Sequence, residues 1–275
     1  MDQKFIKLFN GYKAAYGVAD MTHPGAYTEP SGKKKPVYRW NYEPFTDQIY
    51  TDHLKGDKSV GIQPCNENSE VVFGVIDVDP KNYIDFNNKN KKFYIDIIQE
   101  YKLPLIPIES KSGGLHLFLF LKEFISASVI VSFLSNLLPL FELKPDCEIF
   151  PKQTQLTKNN ETGELRPGQF INLPYYKSTE RKALNIDGTP FTLEQFVGVA
   201  EANLVSETDL TTITTSIENK DMEGVDDEFL DGPPCLAKLS TIMKDPNFDG
   251  KDRFMYNYHV FVKLKYQDTW KQKVK

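Results

Sequence analysis

Apolar and polar positions change their period along the chain, and each change marks an element. Over 4–16 apolar side chains recur at helical spacing and stop at Gly17, which predicts an N-terminal helix. Residues 22–70 are rich in Gly, Pro and polar side chains, with a basic cluster at Lys33, Lys34 and Lys35. The run VVFGVIDVD (71–79) is β-branched and bounded by Pro80, the pattern of a buried strand. Residues 92–101 put Phe93, Ile97, Ile98 and Tyr101 on one helical face. A short strand at 105–109, a turn at 110–114 (SKSGG), a strand at 115–121, a helix at 126–141 with a serine start signal and a strand at 147–150 follow. FINL (170–173) signals a further strand, and 193–204 a helix that closes this body.

The order from 71 to 150 is β-α-β-β-α-β, the split βαβ or ferredoxin-like order that RNA-recognition motifs share. The fold class expected is α+β: a ferredoxin/RRM-like core with an N-terminal α/β extension, followed by a small helical domain. Two crossover helices cover one sheet face, and the other face is expected to stay free for a site. The domain reading is one body over 1–204, an acidic linker over 205–231 and a small helical domain over 232–275, where Phe254, Met255, Tyr258, Phe261, Val262 and Lys265 keep helical spacing.

Composition narrows this picture. The chain has 275 residues, enough for about two domains. Its 19 Phe and 14 Tyr supply ample surface to bury, which excludes wholesale disorder. The net charge of -5 is uneven: residues 201–231 hold ten acidic side chains against Lys220, so the remainder is mildly basic and compatible with a polyanionic partner. The longest apolar stretch, 129–141, is interrupted by Ser132, Ser135, Asn136 and Pro139 and is too short and polar for a bilayer. The start carries no secretory pattern. Cys65, Cys147 and Cys235 lie too far apart for a disulfide framework or a zinc motif, and a reducing cytoplasm is expected.

The chemistry-bearing residues cluster in the core segment. Asp77 and Asp79 stand two apart on the first strand, so both carboxylates project from one face while Ile76 and Val78 point to the helices. Two such carboxylates repel unless a cation, here a divalent metal with oxygen ligands, lies between them. His116 starts the third strand beside them, with Phe118 and Phe120 following on the same face. The turn before it offers Ser110, Lys111, Ser112 and the backbone of Gly113 and Gly114, groups of the kind that cradle a phosphate. Glu148 supplies a third carboxylate, with Asp146 as the alternative that strand parity does not separate from it. Lys152 and Gln153 follow directly, and Arg166 and Asn172 flank the next strand.

These residues resemble the archaeo-eukaryotic primase superfamily in its primase-polymerase branch of phages and mobile elements. The matching motifs are Asp77-Val78-Asp79, Gly114-Leu115-His116 and the acidic region of Glu148, with SKSGGLHLFLF and EIFPKQ followed by FINLPYY between and after them. The resemblance implies template-directed nucleotidyl transfer from nucleoside triphosphates with Mg²⁺ or Mn²⁺. Asp77, Asp79 and Glu148 (or Asp146) would be metal ligands and His116 a catalytic residue. Ser110, Lys111, Ser112, Gly113, Gly114, His116, Lys152, Gln153 and Asn172 would bind the nucleotide. It also implies a single-stranded or primed DNA template, room for a helicase in the same or a partner chain, and a cytoplasmic location, which is the bacterial host's if the protein is phage-encoded. No G-x-x-x-x-G-K-[ST] sequence is present, and the charged helical pattern that runs to Lys275 raises the expectation of a fragment of a longer protein. Two other readings compete. A rolling-circle nicking endonuclease would want a second histidine two after His116, where Phe118 stands. A non-catalytic RNA-recognition module would stack bases on Phe118 and Phe120.

Overall fold

The computed structural model describes residues 2–30, 32, 34–79, 90–111, 113–160, 163, 165–221, 233, 236–237, 239–240, 251–267 and 270–273. The chain opens with α1 (Asp2–Leu8), β1 (Tyr16–Asp20), β2 (Tyr27–Thr28), β3 (Lys34–Lys35), β4 (Val37–Asn41), α2 (Asp47–Lys55) and β5 (Val60–Ile62). The core follows as β6 (Glu70–Val78), α3 (Lys91–Glu100), β7 (Leu105–Glu109), β8 (Leu115–Ser126), α4 (Ala127–Leu137) and β9 (Glu148–Phe150). The short strands β10 (Thr157–Lys158), β11 (Leu165–Arg166) and β12 (Ile171–Asn172) lead to α5 (Leu193–Ala202) and α6 (Glu207–Asp221). Two later helices are α7 (Lys251–Tyr266) and α8 (Trp270–Lys273).

The core segment forms an antiparallel sheet in the order β7-β8-β6-β9, which is the ferredoxin-like arrangement expected from its element order. Asn90 caps α3 by accepting the Phe93 N–H at 3.2 Å. The helix buries Tyr94 and Ile95 rather than a face centred on Phe93 and Ile97. A capping box at Thr192 and Gln195 starts α5.

The N-terminal segment departs from expectation. The first helix ends at Leu8, and Tyr16 lies in a strand, although helical spacing ran on to residue 16. Phe5 and Phe9 are fully buried, so their spacing reports packing of one helical turn and the loop after it. The Gly-, Pro- and polar-rich segment 22–70 holds four strands and α2 and begins a fifth strand at Glu70, which gives the expected α/β extension its elements. A second sheet results, in the order β12-β5-β1-β4. FINL is thus a strand, but it joins this second sheet rather than the core sheet.

That second layer overturns the expectation of an open core-sheet face. Phe118 and Phe120 are 0% and 1% exposed. Both lie in edge contact with Phe9 of the segment after α1, and Phe120 also meets Phe196 of α5. Burial of a side chain this size stabilises by about 1.5–3 kcal/mol, so the strand's aromatics pack inward instead of serving as stacking platforms. The RNA-recognition-motif reading loses its proposed base contacts with them.

Compact units run over Met1–Leu210 and Thr211–Lys275. The stretch expected to be a linker carries α6, whose Asp209 accepts from Ser206 and pairs with Lys122 at 2.8 Å. In the second unit Leu236, Ala237 and Phe254 form a small core with Leu239, Tyr258 and Phe261 against it. Cys235 and Gly232 lie outside the described residues. No helix among the described residues is long and apolar enough to cross a membrane.

Candidate active site

Strand register builds the site one row at a time. Ile106, Phe118, Val75 and Phe150 are partners across all four core strands and are buried. Side chains two residues along share the same face. The next row is Ile108, His116, Asp77 and Glu148. On β8, β6 and β9 the face therefore changes from apolar to ionisable in one step, where the strands run out, while Ile108 on β7 stays buried in the core.

Asp77 sits between His116 and Glu148. The His116 Nε2 lies 3.4 Å from Asp77 Oδ1, and the two side chains are only 14% and 18% exposed. On the other flank Lys152 Nζ is 2.7 Å from Glu148 Oε2. Lys152 also rests over the Phe150 ring, 5.3 Å from its centre. Strand β6 ends at Val78, and the Asp79 N–H donates to the Asp77 carbonyl at 3.2 Å in a tight turn. Asp79 still lines the same cleft as Asp77.

The third acid differs from its alternative in backbone context. Glu148 is the first residue of β9 and lines the cleft. Asp146 is exposed in the turn closed by the Cys147 N–H on the Lys144 carbonyl, before any strand begins, so strand parity does not apply to it.

The turn after β7 is closed internally. The Ser110 N–H donates to the Gly114 carbonyl at 3.0 Å and the Gly113 N–H to the Ser110 carbonyl at 3.2 Å. These two N–H groups serve the turn instead of facing a phosphate. A Cβ on Gly114 would collide with the Val78 carbonyl, so a glycine is required where the turn crosses the end of β6. Ser110 and Lys111 reach the cleft, whereas Gly113 faces a neighbouring hollow and Ser112 lies outside the described residues.

Gln153 takes a different place from the nucleotide contact expected of it. Its side-chain oxygen accepts the Gln169 N–H at 2.8 Å and fixes the loop before β12. Asn172 on β12 lines the cleft, and Arg166 on β11 belongs to a separate hollow. The cleft has a volume of about 520 Å³. Its far wall was missed by sequence reasoning: Tyr38, Arg39, Trp40, Gly168, Gln169 and Phe170. The signal was the run VYRWN, whose aromatic and β-branched content marks a strand in an otherwise polar region.

One comparison bears on these rows directly. Residues 7–196 match the family described as TOTE conflict system, Archaeo-Eukaryotic Primase domain. The chain belongs to this family. The match runs from α1 into α5 and so takes in both sheets and the cleft between their residues. No curated protein matches the chain. Membership in the primase family carries a primase-like nucleotidyl-transfer function, with nucleic acid and nucleoside triphosphate as ligands and a divalent metal as the usual cofactor.

The residues present fit such a metal by donor chemistry. Among the described residues no three His, Cys, Asp or Glu side chains converge tightly enough to cage an ion alone. Mg²⁺ is seldom caged by protein alone; one or two carboxylates usually hold it together with water and substrate phosphate. Asp77, Asp79 and Glu148 give the primase-family cleft an all-carboxylate oxygen set of that kind.

Proposed function

We propose that this chain is a primase-polymerase, which transfers a nucleotide from a ribo- or deoxynucleoside triphosphate to a 3′-hydroxyl or an initiating nucleotide on a DNA template. The row His116–Asp77–Glu148 at the uncovered end of a buried sheet face carries this reading. Asp77, Asp79 and Glu148 are the proposed ligands of Mg²⁺ or Mn²⁺, which supplies charge neutralisation at the triphosphate and a lowered pKa for the attacking hydroxyl when bound.

The chain's own groups do the rest. His116 and Lys111 hold the triphosphate, with Ser110 and Asn172 orienting it by hydrogen bonds. Lys152, which neutralises Glu148 at 2.7 Å, turns to phosphate when the carboxylate is engaged. The buried row beneath the site fixes the strands and hence the spacing of the carboxylates, which is the preorganisation that phosphoryl transfer needs.

The nicking-endonuclease reading finds no support in this cleft, because the position two after His116 is the buried Phe118. Extension of a labelled primer–template with Mn²⁺ and each nucleotide class tests the proposal. Incorporation that disappears with Asp77→Ala supports it, and a covalent tyrosyl–DNA adduct without incorporation rejects it.

A further inference from the structure

The outer edge of β7 is paired over only part of its length. Segment 182–184 runs antiparallel to it. There the Glu109 N–H donates to the Lys182 carbonyl at 3.0 Å and the Leu184 N–H to the Pro107 carbonyl at 2.8 Å, with Ile108 opposite Ala183. Alternate residues of a strand turn their backbone groups to the same side, so Leu105 is the next to face this edge. Its counterpart in register is Ile186, but the chain turns away first. The Asn185 N–H goes to the Thr189 carbonyl at 2.7 Å, and the Ile186 N–H to the Asn185 side chain at 2.8 Å. Among the described residues nothing pairs with the outward N–H and carbonyl of Leu105, which is 4% exposed. An unpaired backbone group so shielded from water is costly.

A hollow of about 460 Å³ opens at this place. Leu105, Ile106 and Pro107 all line it. Successive side chains of a strand point to opposite faces, so the hollow wraps the edge of β7 rather than lying on one face. Ile98 of α3 and Val199 of α5 add to its apolar wall. Lys102 is the one charged side chain in the lining; it is exposed and has no ion-pair partner among the described residues. Ile186, at the turn where the chain leaves the edge, is 67% exposed. None of these residues lines the carboxylate cleft.

These features select an occupant. An open backbone pair on a sheet edge takes an extended chain, because a helix spends its own N–H and carbonyl groups internally. The aliphatic wall takes a bulky aliphatic side chain. A cation with no acid in the same lining is complemented by a carboxylate. A small apolar molecule would fill the hollow and still leave Leu105 unpaired. A nucleic-acid strand would meet one cation and no exposed aromatic ring in this lining.

We propose that the free end of the β7 edge is a docking site for a short extended segment of a partner protein. The segment pairs with Leu105 as an added strand, sets an aliphatic side chain in the hollow and brings a carboxylate to Lys102. The 182–184 segment already pairs with the same edge two residues further along, so the guest continues a ladder that the chain itself begins. The site is separate from the carboxylate cleft and does not depend on the transfer reading.

A display library of random heptapeptides, selected on the full chain, tests it. Soluble Ile186→Asp protein is the competitor, because that exposed position changes the lip of the hollow without touching the core. Peptides that carry an aliphatic and an acidic residue are enriched. A labelled synthetic copy of the most enriched peptide binds Ile186→Asp, and Val199→Phe, whose ring fills the hollow, about 10-fold or more weakly. Lys102→Glu weakens it roughly 3- to 10-fold. Methylation of the peptide's backbone nitrogens at alternate residues abolishes binding in one of the two registers, and hydrogen exchange at the Leu105 amide slows when the peptide is bound. Melting temperature and primer extension stay parental in Lys102→Glu and Ile186→Asp. No enrichment over the competitor, or an affinity indifferent to all three substitutions, overturns the site. Binding that survives methylation in both registers and leaves exchange at Leu105 unchanged overturns strand addition. A dimer of the chain in sedimentation that Ile186→Asp dissociates assigns the edge to a second copy and overturns the proposal too.

Discussion

Asp77 and Glu148 are direct partners in the β6–β9 ladder, two carboxylates on facing positions of adjacent strands. Like charges so placed destabilise a sheet unless a cation relieves them. Lys152 does so from one side, at 2.7 Å from Glu148. On the opposite flank His116 meets Asp77 at 3.4 Å. A bound divalent ion would add a further cation beside the two carboxylates.

Removing one charge therefore separates function from stability. Asp77→Ala and Asp79→Ala lose nucleotide incorporation by about 100-fold or more, with a melting temperature equal to or above that of the parent in metal-free buffer. Thermal melts run beside primer extension check this. A lowered melting temperature with extension retained contradicts it.

The two candidates for the third acid have opposite expectations. Glu148→Ala abolishes extension to a similar degree, whereas Asp146→Ala leaves it at the parental level because that carboxylate is exposed in the turn before β9. Mn²⁺ titration of both variants provides a readout apart from turnover: only Glu148→Ala weakens the ion's binding.

His116 and Lys111 are assigned to phosphate. Alanine at either position raises the nucleotide dissociation constant roughly 10- to 100-fold, the loss of one charge-assisted hydrogen bond, and leaves template affinity unchanged. Loss of template affinity at constant nucleotide affinity would move both residues to the other ligand.

A pH effect belongs to the fold rather than the site. His53 is buried, accepts the Val60 N–H at Nδ1 and places Nε2 2.9 Å from the Pro174 carbonyl, so it is held as the neutral Nε2–H tautomer. Burial pushes its pKa down to about 4. Between about 4 and 6.5 the unfolded chain binds the proton that the folded chain refuses. Stability is thus fully present above 6.5 and falls as pH drops toward 4, by about 3 kcal/mol at most. Urea melts from pH 7 to 4 show this slope in the parent and a flatter one in His53→Leu; equal slopes contradict the assignment.

What was legible in the sequence follows from which forces are local. Strands β6 and β8 are continuous apolar runs buried on both faces, so 71–79 and 115–121 stood out, and with them the row that holds Asp77 and His116. The N-terminal sheet was not legible as a sheet: Val60–Ile62 is short, and FINL signalled a strand but not its partner, because β5 pairs with both β1 and β12 across long stretches of chain. The same long-range pairing hid the layer that covers Phe118 and Phe120, and it hid the aromatic wall. Glu148 and Asp146 looked equivalent only while a strand was assumed to include both; the turn at Lys144–Cys147 separates them.

Initiation is expected to depend on the tail. Residues 251–275 carry seven basic against two acidic side chains, and all proposed metal ligands precede residue 150. Deletion of 232–275 spares extension of a primed template and impairs primer-independent products, increasingly so at higher salt. An equal loss of both activities with a lower melting temperature contradicts a role in initiation.

The most direct measurement is incorporation itself. The full chain, given a labelled primer annealed to a DNA template, Mn²⁺ or Mg²⁺ and nucleoside triphosphates, should lengthen the primer in the order the template dictates, and Asp77→Ala should not. Primer left unextended with either metal and either nucleotide class, or extension equal in the parent and in Asp77→Ala, would contradict the account.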